Sequence, residues 1–213
     1  MTLALFDVDG TLLPLPSTEV RFVAWLARRR RLPWRALLRQ AGALPRLLYR
    51  HGSAGFTENK AWLAGMEPGT LEALGEEFVR TNLARRLRPA VRARLDAHRH
   101  AGDRVLLLTG TPDFLARPLC KLLGADDFRA TRQRVEGGRY AGQRPALHPR
   151  GAAKLEIARQ VAAEAGSRLE DAVAYADAWP DRVLLEAVRT AVTVAPRGKL
   201  RRLALERGWE ILN

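Results

Sequence analysis

Residues 3–13 read LALFDVDGTLL. A short apolar run of the kind that forms a buried strand ends in Asp7 and Asp9, separated by one valine. It then turns through Gly10-Thr11 and becomes apolar again. Burying a carboxylate at the end of a core strand is costly unless something compensates its charge. The placement is informative, because an open parallel sheet forms its sites at the carboxyl ends of its strands.

Working outward, four further segments have the same character: RVLLLTG ending at Gly110, a shorter piece from Phe128 to Thr131, AVAYAD ending at Asp177, and TAVTVAP ending at Pro196. Short apolar runs closed by a polar or turn residue suit a parallel sheet covered on both faces. Helical patterns lie between them at 89–100, 112–123, 152–165, 182–188 and 199–207. Pro89 and Pro112 are placed to open helices, and Gly102 and Gly124 to end them. The alternation predicts an α/β fold built on a doubly wound parallel sheet. RVEGGRYAG (134–142), with Gly137-Gly138 at its centre, predicts a small hairpin. A far larger interruption runs from Leu13 to Leu87 and is almost entirely helical in pattern. A crossover needs only about a dozen residues. The surplus predicts an inserted all-helical cap, residues 14–87, within a core made of residues 1–13 and 88–213.

The chain has 213 residues, 47% hydrophobic and 28% charged, which is ordinary for a globular protein and leaves room for one large core. No apolar stretch approaches a membrane span, and no signal-peptide pattern opens the sequence. The one cysteine, Cys120, sits on an apolar helix face and reads as a small core residue. These features predict a cytoplasmic protein. Net charge is +13 and almost wholly arginine, with lysine only at Lys60, Lys121, Lys154 and Lys199. The four histidines show no metal-ligand spacing and read as surface residues. Asp113 and Arg117, one helical turn apart, read as an ion pair.

Collecting the polar residues at the predicted strand ends gives Asp7 and Asp9, then Thr109-Gly110, then Asp177 with Asp181 four residues on. Lys154 lies in the helix before that last strand. Carboxylates gathered at one sheet edge repel one another unless a cation lies among them. Oxygen ligands suit Mg²⁺, which takes one or two carboxylates and leaves room for waters and a phosphate oxygen. Lys154 adds a fixed positive charge, and the Thr109 hydroxyl with the Gly110 amide offers donors to an anion. The set is a phosphate site on electrostatic grounds. Taken singly, Asp7 and Asp9 could mark a strand-end turn, and Asp181 could be a helix N-cap.

In order, DVDGT, LLLTG, the lysine of GAAK and YADAWPD resemble the four motifs of the haloacid dehalogenase superfamily. LLLTGTPDFLARPLCKLLGAD, GGRYAG and LRRLALERGWEIL resemble its type IB, phosphoserine phosphatase-like branch. That resemblance implies a Rossmann-like core with a cap inserted after the first motif, and a Mg²⁺-dependent phosphatase acting on a small phosphate ester. It implies Asp7 as nucleophile, forming an aspartyl-phosphate, and Asp9 as acid and then base. The metal would be held by the Asp7 and Asp177 side chains and the backbone carbonyl of Asp9, with Asp181 behind them. Thr109, Gly110 and Lys154 would bind the transferring phosphoryl group.

The sequence departs from the branch at Ala178, where a small polar residue is usual, at Ala176, where Gly or Ser is commoner, and in the cap. Phosphoserine phosphatases read the amino acid's amine and carboxylate with a cap glutamate and arginine. Here Glu19 lies near the first position and Lys60 stands at the second, as a candidate substrate-binding residue. Lysine lacks the bidentate grip of arginine, so phosphoserine is not favoured. A phosphotransferase with the same intermediate is the nearest alternative. A non-catalytic module binding an anionic or lipid surface is the alternative from another class. It rests on Arg21–Arg50, with nine arginines and no acidic residue, interleaved with Trp25, Trp34 and Tyr49. That stretch reads as a solvated arginine face, or else as a weak contact with an anionic membrane surface. No nucleic-acid partner is expected.

Overall fold

The structure, a computed structural model, describes residues 1–36, 38–39, 41–42, 60–142 and 145–213. A six-stranded sheet runs in the order β3-β2-β1-β6-β7-β8, with every neighbouring pair parallel. Its strands are β1 (Leu3–Phe6), β2 (Arg104–Pro112), β3 (Asp127–Thr131), β6 (Val173–Ala176), β7 (Thr190–Val194) and β8 (Glu210–Leu212). β1 is central, so the loop that follows it, carrying Asp7 and Asp9, leaves from the middle of the carboxyl edge. Parallel strands require crossovers, and helices supply them: α3 (Pro89–His100), α4 (Asp113–Leu123), α5 (Ala152–Glu164), α6 (Arg182–Leu185) and α7 (Gly198–Arg207). The sheet and its helices form the α/β core that the apolar runs predict.

The expected punctuation holds at Pro89, the first residue of α3, and at Gly124, which ends α4 in the left-handed conformation with φ 66°. Pro112 behaves differently. It closes β2, after a break in register against β3 between Leu108 and Pro112, and the helix opens one residue later. The predicted helix at 182–188 is shorter, ending at Leu185. β8 is a strand that its composition conceals, three residues at the sheet edge and only partly buried. The hairpin forms as β4 (Val135–Glu136) and β5 (Arg139–Tyr140), turned through Gly137 and Gly138.

Two apolar clusters cover the faces of the sheet. On one face Phe6 stacks on Tyr175 with ring centroids 4.2 Å apart. His98, from α3, bonds the Tyr175 hydroxyl at 2.9 Å through Nε2 and Asp103 at 2.8 Å through Nδ1. It is therefore a half-buried tie between helix and sheet and not a surface histidine. Cys120 is buried, and its thiol donates to the Ala125 carbonyl at 3.3 Å. Burial pushes that thiol up to about 11, with Asp127 and Asp126 adding to the rise. Folded protein at pH 8 should therefore react with a disulfide reagent at least ~100-fold more slowly than a free thiol, and at the free-thiol rate in denaturant. Fast labelling of the folded chain would contradict this burial.

The helical cap contains α1 (Thr18–Arg28) and α2 (Pro68–Phe78), with a short 3-10 turn at Ala61–Leu63 between them. Ser17 caps α1, its hydroxyl accepting from the Val20 amide at 3.4 Å. The chain enters and leaves the cap side by side, because the Arg88 amide donates to the Leu12 carbonyl at 2.9 Å. Cap and core share apolar packing. Phe22, Trp25, Trp62 and Phe78 pack as rings, and Phe22 and Trp62 also meet Phe114 in the first turn of α4. Gly75 lets α2 approach α4, since a Cβ there would stand 2.6 Å from the Phe114 carbonyl. The core hairpin adds backbone ties: the Gly65 amide donates to Tyr140 at 2.8 Å, and the Tyr140 amide to Met66 at 2.9 Å.

Part of the arginine-rich stretch, and the helical patterns expected within residues 43–59, lie outside the described residues. Of those described, Arg29 and Arg31 pair with Glu77, and Arg29 also covers Trp25. Trp34 is exposed. Arg117 lies over the Phe128 ring at 5.5 Å, in place of the expected ion pair with Asp113, whose carboxylate accepts from the Phe114 amide at 2.8 Å.

Candidate active site

The loop after β1 folds back on itself. The Leu13 amide donates to Val8 at 2.9 Å and the Gly10 amide to Leu13 at 2.6 Å, burying Thr11, Leu12 and Leu13. This fixes the direction of both aspartates. Asp7 extends the sheet, its amide bonded to Tyr175 at 3.0 Å. Lys154, near the start of α5, is 2% exposed and lies between two carboxylates: its Nζ donates to Asp7 Oδ1 at 2.8 Å and to Asp181 Oδ2 at 2.9 Å. Asp181 occupies the N-cap position of α6, but its side chain turns to Lys154 and makes no cap bond. Asp177 Oδ1 accepts from the Thr11 hydroxyl at 3.1 Å.

Asp9 points elsewhere. Its Oδ1 accepts from both the amide and the hydroxyl of Thr18, each at 2.6 Å, and its Oδ2 accepts from the Thr111 hydroxyl at 2.9 Å. Thr18 is the first residue of α1, so the cap helix itself orients this carboxyl. The Thr111 amide donates to Thr109 Oγ1 at 3.1 Å, and the two hydroxyls lie 3.1 Å apart. The Thr109 proton can therefore go to Thr111 or to a bound anion. Thr11, Thr18 and Thr111 carry no signal of such a role in the sequence. Thr11 follows Gly10 inside the quoted stretch and Thr111 lies two residues beyond Thr109, while Thr18 is brought in by the cap alone.

Electrostatics separates the carboxylates. Burial pushes Asp7 up to about 8 against the pull of Lys154, and Asp181 and Asp177 add to the rise. Burial likewise raises Asp177 to about 6, with the Thr11 hydrogen bond opposing it. Asp9 is raised by burial, with its bonds to Thr18 and Thr111 holding it back. Burial would pull Lys154 down, but Asp181 and Asp7 outweigh it and keep the ammonium above its ordinary value.

Lys154 thus bonds two carboxylates, and Asp177 stands close enough to raise the pKa of Asp7. The carboxylates there, of Asp7, Asp177 and Asp181, offer oxygen donors, the type that suits Mg²⁺. Among the described residues no three His, Cys, Asp or Glu side chains form a metal cluster. A two-carboxylate site that keeps water on the ion does not need one. Gly10 protects this arrangement: it has φ 96°, and a Cβ there would stand 2.0 Å from Asp177 Oδ2. Gly10→Ala should displace Asp177 and lower Mg²⁺ affinity ~10–100-fold by titration calorimetry. Unchanged affinity would remove Asp177 from the metal site.

Asp7, Asp9, Thr109, Gly110, Lys154, Asp177, Asp181 and Lys60 all line one cavity of about 650 Å³. Lys60 is 4% exposed and paired with Glu19, whose Oε1 also accepts from the Trp62 indole at 2.8 Å. His148, expected at the surface, also lines the cavity, and its Nδ1 lies 2.8 Å from the Thr131 hydroxyl. Arg150 borders the cavity from the core as well. Neither His148 nor Arg150 belongs to a recognisable motif.

The sequence profile of the haloacid dehalogenase-like hydrolases matches residues 4–186. Phosphoserine phosphatase SerB1 of Mycobacterium tuberculosis is 36% identical over 98% of this chain and 69% of that protein. A histidinol-phosphatase of Neisseria meningitidis is 29% identical over 99% of this chain and 98% of its own. A crystal structure of a protein of unknown function from Bordetella pertussis Tohama I superposes with a TM-score of 0.84 at 30% identity, covering 100% of this chain and 98% of that one. The four ordered motifs, the parallel sheet with its helical cap and these matches agree: the chain belongs to the haloacid dehalogenase-like hydrolase family and is a phosphatase of its type IB, phosphoserine phosphatase-like branch.

Proposed function

We propose that the chain is a Mg²⁺-dependent phosphomonoester hydrolase that works through an aspartyl-phosphate on Asp7 and acts on a small phosphorylated metabolite. The observation that carries this reading is the division of labour between two aspartates of one motif. Asp7 is bonded to a buried ammonium, whereas Asp9 is held apart by hydroxyls and an amide. Lys154 takes Asp7 Oδ1, which leaves Oδ2 to attack phosphorus. The new Oδ2–P bond forms as the bond from phosphorus to the leaving oxygen breaks, and that oxygen takes the proton of Asp9. Water then attacks the same phosphorus, Asp9 takes its proton, and inorganic phosphate leaves with the Asp7 carboxylate restored. Thr109, the Gly110 amide and Lys154 stabilise the charge on the transferring group. Mg²⁺, held by Asp7, Asp177 and the Asp9 carbonyl, would neutralise the phosphoryl oxygens, with Asp181 orienting Lys154.

The cap, which we bound at residues 14–87, shields this chemistry from bulk water and selects the leaving group. The two named relatives act on different phosphorylated alcohols by their names, so family membership leaves the substrate open. The test is phosphate release from p-nitrophenyl phosphate, phosphoserine and histidinol phosphate, in Mg²⁺ and in chelator. Release that depends on the metal is expected. No release from any ester by folded, Mg²⁺-binding protein would end this reading.

A further inference from the structure

The cap side of the cavity differs from a site that reads a charged leaving group. Glu19 and Lys60 are the charged side chains contributed to it by the described cap residues, and they are bonded to each other. The second Glu19 oxygen is taken by the Trp62 indole. A half-buried carboxylate and a buried ammonium matched in this way offset each other's charge, and separating them leaves the ammonium uncompensated. A zwitterionic leaving group would have to make that separation. Lys60 would then offer a point charge in place of a fork.

Among the described residues the rest of that wall is apolar apart from Ser17. Val23 and Trp62 lie deeper in the cavity, and Leu15 and Val20 line it at 62% and 55% exposure. Large apolar side chains that are solvent-exposed and also line a functional cavity mark where something apolar rests. Resting on the hydrolase reading above, we infer that the leaving group is an apolar alkyl or aryl alcohol that reaches from the phosphoryl site to the Leu15–Val20 rim. The Glu19–Lys60 pair balances its own charges on the cap side of that chamber, facing Arg150 and His148 on the core side.

The experiment measures kcat/KM with Mg²⁺ for n-alkyl monophosphates from methyl to hexyl, for p-nitrophenyl phosphate, and for phosphoglycolate against ethyl phosphate. Each methylene buried in the chamber should raise kcat/KM about fourfold. Ethyl phosphate should exceed phosphoglycolate at least tenfold. Val20→Asn, an exposed change on a helix surface, should flatten the dependence on chain length. Glu19→Gln strips Lys60 of its partner and should lower the ethyl-to-phosphoglycolate ratio at least tenfold. A flat chain-length series, or preference for phosphoglycolate in the wild type, overturns the apolar assignment while the hydrolase reading stands. Absence of release from every ester, p-nitrophenyl phosphate included, overturns both.

Discussion

Asp7→Asn should reduce metal-dependent phosphate release by at least ~10³-fold, because an amide oxygen cannot form the acyl phosphate and nothing beside it can substitute. The companion expectation concerns stability. Asp7 is buried, and Asp181 and Asp177 lie close enough to raise its pKa. Burial, with those two carboxylates, outweighs the pull of Lys154 on the Asp7 charge, so removing that charge is not costly, and the asparagine oxygen can still accept from Lys154. In chelator the variant should melt no lower than the wild type. In Mg²⁺ it should gain less from the ion, having lost a ligand. A variant that unfolds and loses activity together would leave a structural Asp7 as the explanation. Lost turnover in a protein of undiminished stability isolates the chemical role. Retained turnover would exclude the aspartyl-phosphate.

The sequence alone makes the candidate site's edge legible because chemistry and topology coincide there. Buried strands must be apolar, so Asp7, Asp9, Thr109 and Asp177 at their carboxyl ends stand out against their own segments. Lys154 is found through the order of the motifs, since a lone lysine in a helix carries no signal. The residues left unseen are those that only packing delivers. Thr18 reaches Asp9 because the cap entrance folds back over the loop after β1. Trp62 reaches Glu19 because the rings around Phe114 seat the cap on the core. His148 enters the cavity because Thr131 at the end of β3 holds it. In the fold, β8 escapes detection because three residues at a sheet edge, one exposed and two half-buried, have too little period to read. Pro112 misleads because the proline that suits a helix start also ends the strand before it. Local pattern specifies the elements here, and tertiary contact specifies which side chains meet.

Lys154→Met tests the same edge from the cationic side. Methionine matches the length of lysine and fills its buried path, so the change removes charge and hydrogen bonds more than volume. It leaves Asp7 and Asp181 facing each other without the ammonium that now lies 2.8 Å and 2.9 Å from them. Breaking a buried pair by removing one partner costs about 3–5 kcal/mol. Here that cost falls on two carboxylates that a bound cation can partly neutralise. The loss of melting temperature should therefore be larger in chelator than in saturating Mg²⁺, a difference that a merely packing role for the side chain would not produce. Turnover should fall ~10²–10³-fold even in Mg²⁺, since charge developing on the phosphoryl oxygens loses a fixed donor. Lys154→Arg should not restore it: a forked guanidinium in a site 2% exposed cannot take the single-point position between Asp7 and Asp181. Equal destabilisation with and without the metal would mean that Lys154 and Mg²⁺ do not share these carboxylates, and the compensated edge inferred from the first thirteen residues would need another counter-charge.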